Sequence, residues 1–62
     1  MCIATVYVDD AGQMEKVMQD VVSVIFEDNG ILLTTILGEE KLLNGKIKNI
    51  DFLKHLVTIE SR

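Results

Sequence analysis

The sequence predicts an all-β chain of five or six antiparallel strands, and three observations carry that prediction. Short apolar runs rich in β-branched residues recur along the chain. Turn signals built from Asn, Asp and Gly separate them, and no Pro interrupts any of them.

The first strand is expected over residues 2–9, where Ile3, Thr5, Val6 and Val8 favour a pleated backbone. Asp10-Ala11-Gly12 supplies the turn after it. Residues 13–20 fit two patterns, because Met14, Val17 and Met18 have helical spacing while the flanking hairpin signals favour a strand. Strand is the assignment adopted. Residues 21–26 and 31–37 are two further strands flanking Glu27-Asp28-Asn29-Gly30. Asn-Gly between such runs is the strongest short-range hairpin signal, since a type I′ turn needs positive φ at both central residues. A second pair, Asn44-Gly45, lies between Leu42-Leu43 and the run 47–50. A turn around residues 52–55 then leads into a last short strand over residues 56–60. The pattern suits a small SH3-like barrel, with an OB-fold as the nearest competitor. Ile31-Leu32-Leu33 and Val21-Val22 are apolar on both faces, whereas a small barrel has only one inward face. The outward apolar residues therefore imply a partner surface.

Sixty-two residues give one domain, residues 1–62, and a chain this short buries only about 60% of its unfolded surface. One Cys forbids an internal disulfide, and no Cys/His cluster can hold a structural zinc. Yet 48% of residues are hydrophobic and the mean hydropathy is +0.29. Burial against a second copy is the simplest outlet for that surplus, so a homodimer is expected. The net charge of −4 and pI near 4.6 repel phosphate backbones and anionic membranes. No basic region precedes residues 3–8, which Asp9-Asp10 cut short, so a signal peptide is not expected. No apolar stretch approaches the roughly 20 residues of a membrane helix. An unpaired thiol without an export signal suits a reducing cytoplasm.

That thiol is the most informative side chain. Cys2 follows Met1 directly, so thiolate, terminal amine and backbone amide can close small chelate rings on one metal ion. This combination points toward soft or borderline metal chemistry.

The opening Met1-Cys2-Ile3-Ala4 resembles the start of the CooT-like proteins, small nickel-binding accessory proteins of carbon monoxide dehydrogenase maturation. The likeness continues through Asp20-Val21-Val22-Ser23-Val24 and is densest from Gly30 through Thr34-Thr35 to Gly38-Glu39-Glu40. Gly45-Lys46-Ile47 and the closing strand also fit. The resemblance implies an SH3-like homodimer that binds one Ni(II) between its subunits through Cys2 of each chain. It further implies a carrier role toward a nickel enzyme such as carbon monoxide dehydrogenase, or toward its maturation factors.

The chemistry of the residues is compatible with that implication. One ligand-bearing residue per chain cannot close a site, but a two-fold axis presents the same residue twice. Nitrogen donors are available at Met1 and Cys2, from the terminal amine or the backbone amides. Square-planar N/S coordination suits Ni(II) or Cu(II), whereas Zn(II) prefers a tetrahedron. Binding requires a deprotonated thiol, so affinity should fall as pH drops through the thiol's pKa. No Ser/His/Asp group and no Gly-rich phosphate loop is present, so an enzyme is not expected.

Two other readings stay open. Small barrels also bind RNA, and Lys46, Lys48 and Lys54 form a thin basic stripe with Tyr7, Phe26 and Phe52 scattered along the chain. Hydrogenase maturation chaperones (HypC-like) likewise open on Met-Cys, though with a Pro soon after that this chain lacks. His55, the single histidine, falls in a turn and is read as a solvated side chain rather than an auxiliary ligand. Asp9-Asp10 and Glu39-Glu40 lack the spacing of a calcium loop and are explained by turn chemistry. Met14 and Met18 are read as packing residues.

Overall fold

The computed structural model describes residues 3–61. Strand β1 (Ala4–Asp10) turns back through Ala11 and Gly12 into β2 (Gln13–Glu27). Those two turn residues have φ of 54° and 88°, the positive values a two-residue I′ hairpin demands. The Gly12 N–H donates to Asp9 Oδ1 at 2.9 Å and closes the turn from the side. Residues 13–20 are strand, as the flanking signals indicate, and they run without a break into residues 21–27 as one 15-residue strand.

A strand this long serves two neighbours only if it bends. Its register with β1 shifts between Val6 and Tyr7, and its register with β3 (Gly30–Thr35) shifts between Val21 and Ser23. Asp20 adopts φ 59° at this point, and its carbonyl accepts the Ile36 N–H at 2.9 Å. Such bulges kink a strand and deepen its twist. Consequently the first half of β2 pairs with β1 and the second half with β3.

Strand β3 pairs onward with β4 (Glu40–Leu43), while β5 (Gly45–Asp51) pairs with β6 (Leu56–Ser61). The sheet order is β4-β3-β2-β1-β6-β5, with β1 and β6 parallel and all other neighbours antiparallel. The sheet curls so that β3 touches β5 across the interior. Alternate residues point inward. Ala4, Val6, Val21, Ile31, Leu33, Val57 and Ile59 form the buried core, with Val24, Leu43 and Ile47 packed against it. The radius of gyration, 10.6 Å, is that of a compact chain of this length.

Several sequence expectations are corrected. The sheet is not closed into a barrel, because no ladder joins β4 to β5 among the described residues. Nor are the strands all antiparallel: β6 arrives beside β1 after a long detour and lies parallel to it. The expected strand 31–37 ends at Thr35, where the Gly38 N–H donates to the Thr35 carbonyl and turns the chain. At the β2–β3 turn the central residues are Asp28 and Asn29, with Glu27 opposite Gly30. Positive φ falls on Gly30 alone (150°), so the turn is not the I′ form expected at Asn29-Gly30. A Cβ on Gly30 would stand 2.5 Å from the Leu43 carbonyl oxygen, which explains the glycine by close approach. Asn44-Gly45 is not a hairpin turn either. It carries the chain from one outer edge of the sheet to the other, and Gly45 is needed because a Cβ would collide with the Glu60 carbonyl oxygen. The first strand begins at Ala4 rather than residue 2, and Cys2 itself lies outside the described residues.

Candidate functional site

Where the chain enters β1 is fixed by two features. Ala4 is buried opposite Val21, and the Thr5 N–H donates to the His55 carbonyl at 2.9 Å. The parallel register with β6 sets Thr5 beside Leu56, which in turn pairs with Asp51 of β5. On the other flank, Val21 pairs with Thr35 at the end of β3. Ile3, the turn 52–55 and the loop after Thr35 therefore extend from the strand ends that meet at this level.

Those extensions are apolar where solvent-facing turns are usually polar. Among the described residues, six of the eleven exposed large hydrophobics lie at this end: Ile3, Val22, Ile36, Leu37, Phe52 and Leu53. That concentration separates this end from ordinary scattered surface hydrophobics. Leu37 and Leu53 are 87% and 89% exposed, so neither is needed by the core of this chain. The turn 52–55 is built locally, with the Lys54 N–H donating to Asp51 Oδ1 at 2.9 Å and His55 at φ 57°. The loop after β3 is braced by Thr35, whose Oγ1 accepts the Glu39 N–H at 3.1 Å. Between that loop and β2 lies a groove of about 360 Å³, lined by Val17, Met18, Asp20, Ile36, Leu37 and Glu39.

Of the residues singled out from sequence, Cys2 falls outside the described residues, as does the Met1 amine beside it. His55 is exposed, in keeping with a solvated side chain. Among the described residues no three His, Cys, Asp or Glu side chains come together as a metal cluster. Asp9 is not simply a turn residue. Its carboxylate takes the Lys48 ammonium as well as the Gly12 N–H, and only 9% of the residue is exposed. The hydrogen bond from Lys48, then that from Gly12, hold the Asp9 carboxyl below its usual range, and the same contact raises Lys48. Met14 is 55% exposed, whereas Met18 packs against the core.

The basic stripe of the RNA reading is largely neutralised. Lys48 is paired with Asp9, and Lys46 lies 3.8 Å from Glu60. Tyr7 sits mid-strand in β1, Phe26 near the end of β2 and Phe52 in a turn, so the three rings come from separate elements. Among the described residues no helix is long and apolar enough to cross a membrane. The apolar end was missed in the sequence, although Ile36-Leu37 and Phe52-Leu53, apolar pairs placed in turns, are the signal that reveals it.

Comparison with known proteins places this architecture. A crystal structure of a candidate CooT from Carboxydothermus hydrogenoformans superposes with a TM-score of 0.92, at 26% identity and covering 98% of both chains. No curated protein matches at a significant level. The family model described as "CO dehydrogenase accessory protein CooT" matches residues 1–60, which takes in the Met1-Cys2 opening together with all but the last residue of β6. On that near-complete match, the chain belongs to the CooT family of CO dehydrogenase accessory proteins.

Proposed function

We propose that this chain is a nickel carrier, and not an enzyme, that binds one Ni(II) per homodimer through Cys2 of each protomer. Its task is delivery to carbon monoxide dehydrogenase or to the factors that mature it, in the cytoplasm. The observation that carries the reading is the family match over residues 1–60, because it includes the one residue pair, Met1-Cys2, with soft-metal chemistry. The apolar end around Ile3 supports a shared site. Cys2 is bonded to Ile3, so a two-fold axis at this end would bring two thiols together while covering Ile3, Phe52 and Leu53. Nitrogen donors at Met1 and Cys2 would complete a four-ligand set that fits the planar preference of Ni(II). We read the curled sheet as an SH3-like form completed by the second subunit, and the 62 residues as one domain.

The decisive experiment is a Ni(II) titration of the reduced protein, followed by thiolate-to-metal absorption and native mass, with Cys2→Ser alongside. One nickel per two chains, lost in Cys2→Ser without change in circular dichroism, is the expected result. Saturation without Cys2, or a monomer at micromolar concentration that still binds nickel, would overturn the shared-thiolate site.

A further inference from the structure

The outer face of β2, β3 and β4 carries a chemical pattern that neither the core nor the chain-start end uses. The register sets Ile25 opposite Leu32 and Leu32 opposite Leu42, so three aliphatic side chains form one bar across three strands. Ile25 and Leu42 are 48% and 44% exposed, and Leu32 is half-buried between them. On one side of the bar the next row is Ser23, Thr34 and Glu40; on the other it is Glu27 and Gly30. A carboxylate therefore stands at each of two opposite corners, with Asp28 next to Glu27 in the turn. Among the described residues neither Glu27 nor Glu40 has a salt-bridge partner. Lys41, the cation of β4, lies opposite Leu33 and so belongs to the other face.

We propose that this face docks the client protein of the nickel carrier, by receiving an apolar ridge flanked by Lys or Arg side chains. The partner's identity rests on the nickel-carrier reading; the surface rests on the register alone. An apolar centre with a charged rim is the usual anatomy of a protein interface, and rim charges steer the complementary partner into place. A second copy of this chain is a poor occupant. It would bring the same two carboxylates and no cation from the corresponding rows to meet them. The Ser23–Thr34–Glu40 row separates the bar from the chain-start end, where the Cys2 pairing is proposed, so one dimer can hold metal and present two such faces.

The test uses the full-length dimer and purified nickel-free carbon monoxide dehydrogenase from the same organism as the probe. Association is measured for the unaltered chain, for Ile25→Ser/Leu42→Ser and for Glu27→Lys/Glu40→Lys. The unaltered chain should bind with an affinity that falls as salt rises, and both double variants should bind about tenfold or more weakly. Nickel stoichiometry and dimer mass should not change. The charge-reversed pair leaves the aliphatic bar intact, so it tests the face even where the serine pair fails to fold. Unchanged binding by the charge-reversed pair would overturn the proposal, as would its dissociation into monomers, which would make this face the dimer interface. No association of the unaltered chain, with nickel bound normally, would overturn the choice of partner. Conversely, docking that survives while Cys2→Ser still binds nickel would remove the metal reading and leave the surface standing.

Discussion

The two hairpins that share β2 are built on opposite principles. In the first, β1 and residues 13–20 meet through a strict I′ turn at Ala11-Gly12, and their outer face sets Thr5, Asp9 and Lys16 among Tyr7 and Met14. Asp9 is tied by Lys48 to β5, so turn geometry and charge both specify this hairpin. In the second, residues 21–27 and β3 meet through Asp28-Asn29 and are apolar on both faces. Val24, Ile31 and Leu33 point into the core, and Ile25 and Leu32 point out. The first hairpin leaves one large apolar side chain, Met14, well exposed. The other has more apolar surface than the chain can cover, and that surplus is where a partner is expected.

The contrast is broken most severely on the inner side of the second hairpin. Leu33 is fully buried, and Leu33→Ala should cost about 2–5 kcal/mol from lost transfer energy plus the cavity left behind. For a chain this short that is a large share of total stability, so urea unfolding should show a much lower midpoint or no folded baseline. A loss under about 1 kcal/mol would mean that the second hairpin does not hold the core.

The first hairpin offers the reverse manipulation. Ala11 is held at φ 54°, a conformation that Asn tolerates better than Ala. Ala11→Asn, which writes the preferred Asn-Gly pair into the I′ turn, should raise stability by about 0.5–1 kcal/mol, read as a higher Tm. A lower Tm would show that the turn is fixed by the Asp9 contact and not by its backbone.

How much of this was legible in the sequence follows from the same contrast. β-Branched runs and turn residues are local signals, and they located the strands, including residues 13–20. Asn29-Gly30 marked a true hairpin but not its turn type, and Asn44-Gly45 marked none, because the role of each glycine depends on distant chain. At Gly30 and Gly45 the glycine answers the carbonyls of Leu43 and Glu60, not a turn. The parallel β1–β6 pair joins residues some fifty positions apart, and no local pattern encodes it. Asp20, polar and placed mid-strand, gave no sign that it would take φ 59° and divide β2 between two neighbours. For the candidate site, Cys2 was visible by type and position, whereas the apolar end and the outer bar exist only once register is known.

The outer face of the second hairpin should respond far less than its inner face. Leu42→Thr keeps a strand-forming side chain and removes one that is already 44% exposed. The cost in urea unfolding should stay within about 1 kcal/mol. A loss matching that of Leu33→Ala would place Leu42 in the folding core and remove the distinction between the two faces.

The smallest effect belongs to the charge that pins the first hairpin. Asp9 is covered by Lys48 and the β1–β2 turn, not sunk in the core, and partly exposed ion pairs contribute little. Its signature is pH dependence. Because the folded state lowers the Asp9 pKa below 3.8, the contribution is fully present above that value and is lost as pH falls through the folded pKa. Lys48, raised above 10.5, behaves in mirror image: its contribution holds below that value and is lost as pH rises through the folded pKa. Asp9→Asn keeps an acceptor for the Gly12 N–H but gives up the charge that holds Lys48. Its Tm should therefore be slightly lower near neutrality and should decline less than that of the unaltered chain between about pH 5 and pH 2. Parallel Tm curves across that window would mean that the Asp9–Lys48 pair leaves stability unchanged and that the I′ turn alone specifies the first hairpin.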